Sequence, residues 1–157
     1  MRKLKFILDR RSLERLYFAY IRPLLEYGDV VWCNIPNYLM QRLENINVEA
    51  ARIVTGATKL VSISKLYEDI CWTTLDCRRK RHRLQLFHKM FNSLTPEYLS
   101  SLIPIQEYTG TDRRTRQTNH IPSVICKSKS YFDSFLPATI RDFNSIPYDI
   151  QKHYFTI

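Results

Sequence analysis

The sequence predicts an all-α fold, a small helical bundle followed by a basic loop and short C-terminal helices. Apolar residues recur at the three- and four-residue spacing of amphipathic helices through most of the first 104 positions. Glycine occurs three times in 157 residues, which disfavours a sheet fold with many tight turns. With 45% hydrophobic and 25% charged residues, the chain has the composition of one globular domain rather than of a disordered segment.

The first helical region is expected to begin at Ser12, which can cap a helix running from Leu13 towards Tyr27. Pro23 interrupts the pattern. Either the helix kinks there, or it ends near Ile21 and a second helix begins with Pro23 in its first turn. The narrow apolar face of this region consists of Leu13, Leu16, Tyr17, Tyr20, Leu24, Tyr27 and Val31.

A long helix is predicted for residues 38–55, with Asn37 as its cap and Gly56 as its C-terminal stop. A shorter helix follows, opened by Ser62 or Ser64. The apolar face of the long helix is expected to carry Leu39, Leu43, Ile46, Ala50 and Ile53.

The segment from Thr74 to Leu94, TLDCRRKRHRLQLFHKMFNSL, combines an apolar face with the densest positive charge in the chain. As a helix it has an apolar side, which carries Cys77, Leu84, Phe87, Met90, Phe91 and Leu94. The opposite side carries Arg78, Arg81, His82, Gln85 and Lys89. Lys80 and Arg83 lie within the apolar arc, where their stems can pack while the charged groups reach water. Because Asp76 is the one acid in this stretch, the imbalance favours a polyanionic partner as much as a solvated face.

The remaining chain is predicted to be less regular. Thr95-Pro96-Glu97 indicates the start of a short helix that stops before Pro104. We therefore expect a helical domain at 1–104, a basic and irregular linker at 105–130, and a short helical segment at 131–157. The apolar faces around Leu16, Leu43 and Phe87 are expected to form one core, on which the C-terminal segment docks through Phe132, Phe135, Leu136 and Phe143.

The net charge of +9 and the sequence pI near 9.5 suit a nucleic acid, an anionic surface or an acidic protein. No apolar run is long enough to span a bilayer, so no membrane partner is expected. The N-terminal apolar run is cut too early for a signal peptide, which predicts an intracellular chain, nuclear or cytoplasmic. Four widely spaced cysteines suggest reduced thiols rather than a disulfide framework.

The sequence lacks the patterns that an enzyme site requires. It has no phosphate-cradling glycine loop, no nucleophile elbow and no clustered carboxylates for a two-metal site. The adjacent acids Glu68 and Asp69 do not face each other on a helix. We expect no cofactor and no metal, because Cys71, Cys77, His82 and His88 lack the paired spacing of zinc sites.

A nucleic-acid-binding surface is therefore the leading prediction. Arginine suits phosphate contacts because its planar fork donates two parallel hydrogen bonds. No base-reading motif is evident, so binding is expected to ignore sequence. An alternative is a protein-interaction or structural helical module whose basic face meets an acidic protein. The predicted binding residues are Arg78, Arg81, His82, Lys89, Arg113, Arg114 and Arg116.

Four segments of the chain together carry a family resemblance. They are LDRRSLERLYFAYIRPLLEYGDVVW, LENINVEAARIVTG, LYEDICWTTLDCRRKRHRLQLFHKM and SFLPATIRDFNSIP, in this order. The series resembles the C-terminal thumb and post-thumb region of reverse transcriptases from non-LTR, LINE-like (jockey-like) retrotransposons. Phe143 stands where that family often has tryptophan, and the region around Arg113 matches loosely.

The resemblance implies a helical, thumb-like remnant of an RNA-directed DNA polymerase. In that family the catalytic carboxylates lie in the palm, upstream of the thumb, and this chain has no counterpart of the Tyr-x-Asp-Asp motif. The chain would then hold an RNA–DNA or DNA template–primer duplex without joining nucleotides. Its start at Met1 would reflect a truncated element or a gene-model fragment. A further alternative is a decayed fragment without a function.

Overall fold

The computed structural model describes residues 1–32, 34–104 and 121–147. These residues form helices and connecting loops and contain no β-strand, which confirms the predicted all-α class. By its internal contacts the chain divides into two compact units, Met1–Lys80 and Arg81–Ile157. This boundary lies within a helix, whereas the sequence suggested a division near residue 104.

The first unit opens with a nearly continuous helical segment. Pro23 lies in the first turn of its last part, so the second of the two arrangements considered for Pro23 is the one adopted. Ser12 does not start the first helix as expected, because the N-cap position belongs to Asp9 and Ser12 lies inside the helix. The elements are a 3₁₀ turn (Arg2–Leu4), α1 (Arg10–Leu16), a π-helical turn (Tyr17–Ile21) and α2 (Arg22–Glu26).

The π-helical turn changes which residues of this segment are buried. The Arg22 N–H donates to the Tyr17 carbonyl, five residues back, so the turn holds one more residue than an α-helical turn. Leu13, Tyr17 and Leu25 are buried at multiples of four. The predicted apolar face is therefore wrong beyond Tyr17, and the side chains of Tyr20, Leu24, Tyr27 and Val31 are exposed.

Helices α3 (Asn37–Thr55) and α4 (Ile63–Ile70) follow. The N-cap position of α3 belongs to Pro36, so Asn37 is the first residue of the helix and not its cap as predicted. The other predicted end signals hold. Gly56 ends α3 in the left-handed conformation at φ 72°. The Ser62 hydroxyl accepts a hydrogen bond from the Lys65 N–H and caps α4. The buried face of α3 differs from the prediction, since Ile46 is exposed and the buried residues are Asn47, Val48, Ala50, Ala51 and Val54.

A buried polar network joins the π-helical turn, α3 and α4 to the start of α5 (Leu75–Phe91). The Tyr17 hydroxyl donates to the Asn47 amide oxygen, and the Asn47 amide nitrogen donates to the Tyr67 hydroxyl at 3.0 Å. The Tyr67 hydroxyl in turn donates to Oε1 of Glu44. Oε2 of Glu44 accepts from the Leu75 N–H at 2.9 Å, so a carboxylate of α3 binds a first-turn amide of α5.

The second unit contains most of α5 together with α6 (Glu97–Ser100), α7 (Lys129–Phe132) and α8 (Phe135–Asn144). The rings of Phe87 and Phe143 pack with centroids 5.4 Å apart. Phe135 and Leu136 pack partly against the same cluster. Its buried members are Phe87, Met90, Ile103, Ile121, Ile140 and Phe143.

The expectation of one core is wrong. In the first unit the buried side chains form two further clusters, one around Tyr17 and Leu75 and one around Val48 and Leu66. Leu43 packs against the Tyr17 cluster in the first unit, whereas Phe87 belongs to the second unit. Phe132 is half-exposed and carries the Arg141 guanidinium 3.6 Å from its ring centroid.

In the ranges that the structure describes, no helix is long and apolar enough to cross a membrane.

Replacing Phe87 with alanine should lower the free energy of unfolding by about 3–5 kcal/mol, because its fully buried ring would leave a cavity in the second unit. Urea unfolding followed by circular dichroism measures the loss. The matched control is Phe91→Ala on the same helix, whose ring is 51% exposed. Equal losses in the two variants would contradict the placement of Phe87.

The buried tyrosines predict a loss of stability in alkali. Burial, followed by the hydrogen bond to Glu44, raises the pKa of Tyr67 well above its ordinary 10.0. Above pH 10 the unfolded chain releases this proton while the folded protein retains it, so the free energy of unfolding falls as pH rises. Each such proton contributes up to about 1.4 kcal/mol per pH unit.

The measurement is the pH dependence of urea unfolding above pH 10 in the Tyr67→Phe variant. Its stability should fall less steeply with pH than that of the native chain. Tyr98→Phe, a change at a side chain 70% exposed, is the control and should keep the native slope. A native slope in Tyr67→Phe would show that Tyr67 does not hold its proton.

Candidate nucleic-acid interface

The cationic side chains of α5 occupy different environments, and their burial separates structural from accessible charges. Arg78 belongs to the first group. Its Nε and Nη2 donate to the two carboxylate oxygens of Glu26, the second at 3.0 Å. This bidentate pair is mostly buried, with side chains 20% and 13% exposed. The hydrogen bond that Arg78 donates to Glu26 raises the pKa of Arg78. The sequence had placed Arg78 on the outward side of the helix.

Arg79 is the most buried cation of α5, at 4% exposure. Its guanidinium lies 5.7 Å from the ring centroid of Trp32, a cation–π contact. Nε and Nη1 have no hydrogen-bond partner among the residues that the structure describes. Arg79 was not among the predicted binding residues. The spacing of the sequence could have indicated its burial, because Arg79 follows the buried Leu75 by four residues and so lies on the same helix face.

Arg83 also serves the fold. Its Nη2 donates to Oδ2 of Asp142 at 2.9 Å, and the two side chains are 16% and 25% exposed. The prediction that the stem of Arg83 packs within the apolar arc agrees with this burial, but its charged group is paired with Asp142 and does not reach water as predicted. The pair joins α5 to α8 inside the second unit, and it adds to the hydrophobic contact between Phe87 and Phe143.

An exposed row remains on α5, formed by Arg81, Gln85 and Lys89 at four-residue intervals. We call these three residues the cationic row. All three are exposed, and neither Arg81 nor Lys89 forms an ion pair within residues 1–32, 34–104 and 121–147. At 1.5 Å per residue, the α-carbons of Arg81 and Lys89 are about 12 Å apart along the helix. The row lies entirely within the second unit.

The predicted binding residues are thus not equivalent. Arg81 and Lys89 are exposed, Arg78 is paired with Glu26, and His82 is partly buried with an interaction of its own. Their part in binding stays a prediction. The three remaining predicted residues, Arg113, Arg114 and Arg116, lie outside the described residues.

Cys77 was expected on the apolar side of α5, but it is exposed. Within the described part of the chain, no three His, Cys, Asp or Glu side chains are grouped so that they could hold a metal ion.

Comparison with known proteins gave no relative. No family model, curated protein or solved structure matches the chain.

The two classes of cation should differ in their effect on stability. Arg78→Ala should lower the free energy of unfolding by about 2 kcal/mol, because it leaves the mostly buried Glu26 carboxylate without its bidentate partner. Arg81→Ala, in the exposed row, should change it by less than about 0.5 kcal/mol. Urea unfolding of both variants tests the difference, and equal effects would contradict the division between structural and accessible charges.

Proposed function

We propose that the chain binds the backbone of a nucleic-acid duplex, an RNA–DNA hybrid or DNA, with little sequence preference and without catalysing a reaction. The observation that carries this proposal is the cationic row. Its two charges are exposed on one rigid helix, while Arg78 and Arg83 on the same helix are neutralised by acids. A net charge of +9 supplies long-range attraction to a polyanion.

The chemistry of the row suits phosphates. Arg81 offers a planar fork for one phosphate, Lys89 a compact charge for another, and the Gln85 amide between them a neutral donor. DNA carries one negative charge per about 1.7 Å of its axis, so two cations about 12 Å apart find phosphates in many registers. Such contacts position a duplex but do not read its bases.

We further propose that the chain corresponds to the thumb and post-thumb region of a non-LTR retrotransposon reverse transcriptase. The support is the order of the four sequence segments, together with an all-α architecture of the kind that the resemblance implies. On this proposal the chain holds a template–primer duplex, and polymerisation belongs to a palm that this sequence does not contain.

Reversing both charges of the row should weaken duplex binding. We expect the Arg81→Glu/Lys89→Glu variant to lose at least tenfold in affinity for an RNA–DNA hybrid, measured by fluorescence anisotropy at several salt concentrations. If the native chain neutralises three to five phosphates, its log–log salt slope should be about −3 to −4.5. Losing two contacts should make the slope shallower by about 1.8.

The matched control is Arg42→Glu/Lys59→Glu, which reverses two exposed cations of the first unit and so lowers the net charge equally. It should keep most of the affinity and the native slope. If the two variants weaken binding alike, the attraction is general charge and the cationic row is not the site. If binding does not depend on salt, the proposal of phosphate contacts fails.

A further inference from the structure

The outward surface of residues 17–31 carries no charged side chain, although a quarter of the whole sequence is charged. The charged residues of this segment are buried or only partly exposed. The side chains of Arg22 and Glu26 are 30% and 13% exposed, and Asp29 is 4% exposed. The exposed residues are Ala19, Tyr20, Pro23, Leu24, Tyr27, Gly28 and Val31, and we call them the uncharged face.

The π-helical turn is the reason that apolar side chains of this segment are exposed while its charged side chains are not. It directs the chain so that Leu25 enters the core and Glu26 meets Arg78, and the apolar residues beside them are left outside. The large side chains of the face remain open to solvent: Tyr20 is 69%, Leu24 78%, Tyr27 84% and Val31 88% exposed. Two tyrosines, a leucine and a valine at these exposures offer roughly 500 Å² of mostly apolar surface, in the range of patches that mark interaction sites.

The composition of the face is that of the centre of a protein–protein interface. Such centres are depleted in charge and enriched in tyrosine. A nucleic acid would need cations to meet its phosphates, and the face itself has none. Its neighbours on α1 are basic, because Arg11 and Arg15 are exposed and form no ion pair with a residue that the structure describes. They lie two turns and one turn before Ala19.

These features select the occupant. A second copy of the chain would bring together two molecules of charge +9, which repel each other. A helix with apolar side chains flanked by carboxylates gains from both the face and the basic residues beside it. We propose that the uncharged face binds an acidic amphipathic helix of another protein, with Arg11 and Arg15 contacting its carboxylates.

The test uses a synthetic helical peptide of about four turns, with leucine on one side and glutamate on the other. Fluorescence anisotropy against the full chain should give a micromolar Kd, and a peptide with lysine in place of glutamate should bind at least tenfold more weakly. Leu24→Ser/Tyr27→Ser should weaken binding of the acidic peptide at least tenfold, as for residues at an interface centre. Arg11→Glu/Arg15→Glu should weaken it as well.

The control variant is Tyr98→Ser/Leu102→Ser, which removes two exposed apolar side chains of the second unit and should bind the peptide like the native chain. Because the serine changes lie on exposed positions, thermal melting should show all variants folded. Leu24→Ser/Tyr27→Ser should also keep the native affinity for the RNA–DNA hybrid, so that failure here and failure of duplex binding are distinguished.

Three outcomes would overturn the inference. The first is equal binding of the acidic and basic peptides, or no binding at about 100 µM peptide. The second is a native dimer in sedimentation that Leu24→Ser/Tyr27→Ser dissolves, which would assign the face to a second copy. The third is loss of binding to anionic phosphatidylserine vesicles in that variant with unchanged peptide affinity, which would assign it to a lipid surface.

Discussion

The carboxylate of Glu44 connects three parts of the first unit. One oxygen accepts hydrogen bonds from Tyr67 and Asn47, and the other accepts from the Leu75 N–H at the start of α5. A buried polar group without partners costs about 1–3 kcal/mol, and a charged group costs more. These hydrogen bonds therefore restrict α3, α4 and the first turn of α5 to one mutual arrangement. The Thr74 hydroxyl accepts from the Cys77 N–H and completes the helix start.

Fixing the start of α5 also sets the direction of its first charges, which lie in the first unit. Helical geometry directs Arg79 into the interior and brings Arg78 to Glu26. In the second unit, Arg83 is paired with Asp142. Arg81 and Lys89 are directed outward. Arg81 and Lys89 form no ion pair with any residue that the structure describes, and the binding proposed for this chain depends on those two. The same arrangement draws Glu26 inward and contributes to the uncharged surface beside it.

Local signals in the sequence predicted some helix ends, because caps and stops act within a few residues, although the expected caps Ser12 and Asn37 lie inside their helices. Gly56 and Ser62 illustrate this, since a left-handed stop and a hydroxyl cap need no distant partner. Features set by distant partners were missed. Counting apolar residues could not find the buried Asn47, whose place depends on Tyr17 and Tyr67. The count of apolar residues also missed the π-helical turn. It missed the pairing of Arg78 as well, because the partner Glu26 lies on a different helix, far away in the sequence.

The division of the α5 charges can be tested most directly by nuclear magnetic resonance of the arginine Nε–H groups. An RNA–DNA hybrid would be titrated into the full chain, with the lysine Nζ signals followed in parallel. We expect the signals of Arg81 and Lys89 to shift and saturate with the duplex, while those of Arg78 and Arg83 stay in place. Shifts of Arg78 and Arg83 equal to that of Arg81, or no shift at Arg81, would contradict this division of the charges.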